Sequence, residues 1–123
     1  MLLFALATAS ALEIDFASHD GHTYAFVNEW LTWEEADALC ADNGAALAVV
    51  DDAAELRFLL RSIHGGPRFN DGNDSWLGGT SLGSYAGLTA PGLILTWPWE
   101  ATIESAFWVR PIDTAEHKAV CER

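Results

Sequence analysis

The sequence predicts an α+β domain built on antiparallel sheet. Two amphipathic helical patterns come early in the chain, each opened by a capping residue with a glutamate three places on. Short apolar stretches lie before and after them, and turn-rich breaks separate the segments. Helices gathered in one part of the chain, with short strands elsewhere, segregate into layers as α+β folds do.

The elements follow in order. His22-Thr23-Tyr24-Ala25-Phe26-Val27 alternates, with Tyr24 and Phe26 on one face, and reads as a strand. Thr32 is a helix N-cap, and Glu35 completes its capping box. Trp30, just before the cap, reads as a staple residue. Trp33, Ala36, Leu39 and Cys40 share one helical face, and Asn43-Gly44 supplies the stop. Ala46 to Val50 is a short buried strand or extended link. Asp52 opens the second helix with Glu55 three places on. Leu56, Leu59, Leu60 and Ile63 form its apolar stripe, and Arg57 and Arg61 lie off it.

His64-Gly65-Gly66-Pro67 ends that helix. Trp76-Leu77-Gly78 restarts an extended region, and residues 81–92 read as loop. Leu93, Leu95, Trp97 and Trp99 alternate along a further strand, with Phe107-Trp108-Val109 and His117 to Glu122 as the last strands. Trp33, Leu39, Leu56, Leu60, Trp76 and Trp97 are expected in the core. Glu34, Asp37, Arg57 and Arg61 are expected to face water.

The 123 residues favour one domain with one core, and a chain that is 50% hydrophobic with six tryptophans is not a disordered one. Eighteen acidic against six basic residues give a formal charge of −12. Such a surface repels phosphate backbones and anionic lipid, which argues against nucleic-acid and peripheral membrane binding. No stretch approaches the ~20 apolar residues of a membrane span, so no membrane insertion is expected.

The apolar run from Met1 ends in Ala9-Ser10-Ala11, the small-x-small pattern of a signal-peptidase site. Residues 1–11 are therefore expected to be a signal peptide and residues 12–123 a single domain, secreted to an extracellular or periplasmic space. No basic residue precedes the run, so a short native strand is the other reading. Two cysteines alone do not fix a redox compartment. Export would favour a disulfide, and otherwise they are two buried thiols.

Taken together, the tyrosine strand, the Trp33-Glu34-Glu35-Ala36 helix with Cys40, Trp76-Leu77-Gly78-Gly79 and the terminal Cys121-Glu122 resemble the C-type lectin-like domain. The resemblance runs from about Gly21 to the C-terminus and is weakest between Tyr85 and Lys118. It implies two helices packed on short antiparallel sheets with a loop-rich ligand end. It also implies a Cys40–Cys121 bridge, and closing a loop of that length contributes roughly 4–5 kcal/mol in the chain-entropy model. Calcium-dependent sugar binders of this family carry Glu-Pro-Asn or Gln-Pro-Asp in the long loop and Trp-Asn-Asp on a later strand. None of these tripeptides occurs here, and neither does the family's inner disulfide.

Candidate sites are few. Trp99, Glu100 and Trp108 are the expected ligand-binding residues at the loop end, since an aromatic face suits a pyranose. No cofactor and no metal are expected. The secondary candidates for calcium are Glu55 with Glu122, which match a structural calcium position of some family members, and Asp71 with Asp74 in a loop rich in oxygen ligands. That loop also reads as an ordinary turn, and Asn73-Asp74-Ser75 fits a glycosylation sequon. His19 and His22 sit three apart and read as a surface turn rather than a zinc site.

No nucleophile motif or phosphate-binding loop is present, so no enzyme is expected. The sequence thus points to a non-catalytic extracellular recognition module that binds a carbohydrate or protein surface without the family's calcium site. The alternative is a structural or adhesion domain with no small ligand.

Overall fold

The computed structural model describes residues 13–64, 74–87, 92–96, 106–109 and 115–123. Strand β1 (Ile14–His19) turns at Asp20-Gly21 into β2 (His22–Leu31). Both turn residues hold positive φ, 51° and 82°, as a two-residue hairpin between right-twisted strands requires. The turn carrying His19 and His22 is where the sequence reading put it, but β1 before it was missed.

Helix α1 (Trp33–Asp42) starts at Thr32. Thr32 Oγ1 accepts from the Glu35 N–H at 3.2 Å, and Glu35 Oε1 accepts from the Thr32 N–H at 2.9 Å. The chain leaves through Gly44 at φ +69° and forms β3 (Ala46–Leu47) and β4 (Val49–Val50). Helix α2 (Ala53–His64) follows, and Asp52 Oδ1 accepts from the Glu55 N–H at 2.7 Å. Then come β5 (Ser75–Trp76), β6 (Gly79–Thr80), a 3-10 turn at Gly83–Tyr85, β7 (Leu93–Leu95), β8 (Phe107–Val109) and β9 (His117–Glu122).

Among the described residues the main sheet runs β1-β2-β9-β5-β7-β8, and β4 pairs with β6 in a small parallel sheet. The last strand is central. On one side β9 pairs along its length with β2; on the other it pairs with β5 at Lys118–Ala119 and with β3 at Cys121–Glu122.

The sheet separates two apolar cores. Tyr24, Phe26, Leu59, Ile63, Leu93, Leu95 and Val120 pack on the α2 side, whereas Val27, Ala36, Cys40, Trp76, Ile94 and Ala119 pack on the α1 side. Consequently β7 is buried at all three residues rather than on alternate ones. The Trp97 and Trp99 continuation of its pattern lies outside the described residues. Of the other expected core positions, Leu56 and Trp76 are buried, but Trp33, Leu39 and Leu60 are only half-buried. On α2 the inward direction belongs to Leu56, Leu59 and Ile63, which leaves Leu60 at the rim of the stripe. Glu34, Asp37, Arg57 and Arg61 are exposed.

Helix α1 is fastened to the sheet covalently, and a close backbone approach packs β3 against the segment after β5. Cys40 and Cys121 form a disulfide with Cα atoms 5.5 Å apart, tying α1 to β9. Gly78 donates its N–H to Ala48 O at 2.8 Å, and a Cβ there would lie 2.6 Å from Leu47 O. Trp76 Nε1 donates to Leu31 O at 2.8 Å, which pins β5 beneath the entry to α1.

Candidate functional site

The hairpin tip, the start of α2 and the end of β9 converge on a polar cleft of about 70 Å³ lined by His19, His22, Tyr24, Asp51, Asp52, Glu55 and Glu122. Each side chain arrives for a local reason. His19 and His22 close the β1–β2 hairpin as a cross-strand pair, and His19 stacks on Phe58 of α2 with centroids 4.7 Å apart. Glu55 is the third residue of α2. Its Oε1 reaches back to the Asp51 N–H at 2.8 Å, one residue before the cap, while its Oε2 accepts from the Tyr24 hydroxyl. Glu122 takes the Val49 N–H on Oε1 at 3.1 Å, and His22 Nδ1 lies 2.9 Å from its Oε2.

The electrostatics follow from this crowding. Burial, then the hydrogen bond to the Glu55 carboxylate, pushes the Tyr24 phenol far above its ordinary range. Burial also raises the Glu122 carboxyl, and the charges of Glu55 and Asp51 add to that. The Val49 N–H and His22 offset part of the rise.

Glu55 holds the Asp51 N–H and the Tyr24 hydroxyl, and Glu122 holds the Val49 N–H with His22 Nδ1 at 2.9 Å from its other oxygen; among the described residues no group of three or more His, Cys, Asp and Glu is placed to hold a metal ion. Asp74 stands half-buried just before β5, whereas Asp71 lies outside the described residues.

The loop-end candidates are only partly visible. Trp108 sits on β8, at the far end of the sheet path from β1, and is 55% exposed beside the exposed Val109. Trp99 and Glu100 lie outside the described residues. The sequence reading missed a second aromatic position. Trp30, read as a staple, is half-exposed and covers the ammonium of Lys118, 4.6 Å from the ring centroid.

Two helices against a sheet whose last strand is disulfide-bonded to the first helix define a C-type lectin-like fold. The comparisons agree. Residues 29–92 match the family model for the lectin C-type domain, just over half of the chain, and the chain belongs to that family. It is 38% identical over 79 residues to the killer cell lectin-like receptor subfamily B member 1B allele A of Mus musculus, covering 57% of this chain and 35% of the receptor. It is 35% identical over 51 residues to the snaclec botrocetin subunit beta of Bothrops jararaca, covering 40% of each. The chain thus spans little more than a third of the length of these relatives. The SPL-1–GlcNAc complex shares the fold, with a TM-score of 0.66 at 17% identity over 88% of this chain and 91% of that one. No helix among the described residues is long and apolar enough to cross a membrane.

Proposed function

We propose that this domain is a non-catalytic extracellular recognition module that binds a carbohydrate or protein surface at its loop end without calcium. The observation that carries the reading is Trp108, a large aromatic side chain left more than half exposed on the last strand of the sheet path. The missing calcium tripeptides and the engaged state of Glu55 and Glu122 support the calcium-free part. Trp99 and Glu100 are proposed to complete that surface. The relatives include a lectin-like receptor and a snaclec, which is consistent with a role outside the cell. Residues 1–11 are proposed as the export signal and residues 12–123 as the module.

Trp108 and Val109 face opposite sides of β8 and are both exposed, and a strand that is apolar and open on both sides favours a protein surface as the second reading, an adhesion contact with no small ligand. A glycan array probed with and without EDTA separates the two. Glycan binding that survives EDTA and is lost in Trp108→Ala supports the first reading. Binding abolished by EDTA overturns the calcium-free mechanism, and no binding to any glycan favours the protein partner.

A further inference from the structure

The pairing of β2 with β9 slips in the middle. His117 faces Leu31 and Ala119 faces Val27, so Asn28, Glu29 and Trp30 together stand opposite the single residue Lys118. Such a bulge takes backbone groups out of the ladder and re-aims side chains, and bulges concentrate beside binding sites. Here it lifts Trp30 onto Lys118, which is only 4% exposed in a protein of charge −12. Burying an ammonium is costly unless it is compensated. Lys118 Nζ donates to Asn28 Oδ1 and also packs under the Trp30 ring. Asn28 in turn donates through Nδ2 to Glu13 Oε1 at 2.9 Å. The indole is thereby held against the ammonium while about half of the residue, 49%, stays open to solvent.

We propose that Trp30 is a stacking platform for a neutral pyranose, with Glu13, which holds Asn28 beside the buried ammonium, as the nearby acceptor for sugar hydroxyls. The chemistry selects this class. Glu13 and the overall negative charge repel sialylated or sulfated sugars. A cationic ligand is disfavoured because an ammonium already sits against the same ring. A pyranose offers an apolar face for the indole and hydroxyls for the Glu13 carboxylate. The platform is separate from the loop-end surface, because β9, β5 and β7 lie between β2 and β8, about 19 Å of sheet.

The test uses the ¹⁵N-labelled protein in EDTA, following its six tryptophan indole N–H resonances by NMR. Trp30→Phe assigns the Trp30 signal. The probes are the methyl glycosides of glucose, galactose, mannose and N-acetylglucosamine. At least one should move the Trp30 signal saturably. Affinity should fall by about three- to tenfold in Trp30→Ala, and by a similar factor in Lys118→Met, which keeps the stem and removes the ammonium. The Trp30 response should persist in Trp108→Ala, which distinguishes this platform from the loop end. A Trp30 signal unmoved by all four glycosides overturns the proposal. So does sugar binding undiminished in Trp30→Ala, and so does a response confined to Trp108, which would leave only the loop-end site.

Discussion

Tyr24 donates its hydroxyl to Glu55, thirty-one positions further along the chain, and so ties the start of β2 to the first turn of α2. Both side chains are buried, and Glu55 is also the residue that closes the cap of its own helix. One carboxylate therefore serves local and long-range structure at once.

Tyr24→Phe tests that bond cleanly, since the ring keeps its contact with Phe58. The variant leaves a buried carboxylate oxygen without its donor, and stability should fall by about 1–3 kcal/mol. Urea unfolding followed by tryptophan fluorescence measures the loss. A change within about half a kcal/mol would mean that the hydroxyl adds nothing net.

The bridge between Cys40 and Cys121 closes a loop with a sequence separation of 81. Cys40→Ala with Cys121→Ala should lower stability by about 2–5 kcal/mol. Thiol labelling of the unfolded, unreduced protein should find no free cysteine. Two labelled thiols would show that the bridge does not form.

Gly78 is needed for space. A methyl group there would sit 2.6 Å from the Leu47 carbonyl oxygen, a backbone atom that cannot step aside without moving β3. Gly78→Ala should cost about 1–3 kcal/mol, as overpacking of a tight core does. Recovery of the wild-type melting temperature would contradict the close approach.

The two helices were legible because caps and period-3.6 stripes are local signals, as Thr32 with Glu35 and Asp52 with Glu55 show. The fold followed from the order of motifs around Cys40, Trp76 and Cys121. Less was legible where tertiary context decides. Strand β1 was missed although Asp20-Gly21 is a strong hairpin signal, because Ile14 and Phe16 are exposed and the strand offers little apolar alternation toward a core. The candidate site was legible only in its residue types. Nothing in the sequence shows that Tyr24 and His22 will occupy the oxygens of Glu55 and Glu122, or that a bulge will set Trp30 on Lys118.

The α2 stripe gives a graded test of that limit. Leu59 is fully buried and Leu60 is at the rim, so Leu59→Ala should cost about 2–5 kcal/mol and Leu60→Ala distinctly less. Denaturant midpoints of the two variants make the comparison directly. Equal losses would place Leu60 in the core after all.

Glu122 sets the last expectation. Its carboxyl is raised by burial first and then by the charges of Glu55 and Asp51. A carboxyl raised on folding holds its proton more tightly in the native state than in the unfolded chain. The resulting stability is complete below the ordinary carboxylate value of about 4.3 and is lost as pH climbs through the raised one. Ionised Glu122 is thus a liability near neutrality, even with the Val49 N–H and His22 beside it. Glu122→Gln keeps an acceptor for Val49 and removes the charge. Its melting temperature should match that of the wild type at low pH and exceed it increasingly as pH rises toward about 7. A difference that stays constant with pH would show that the Glu122 proton is not coupled to folding. A wild type that gains on the variant as pH rises would show that pairing with His22 outweighs burial and the neighbouring carboxylates.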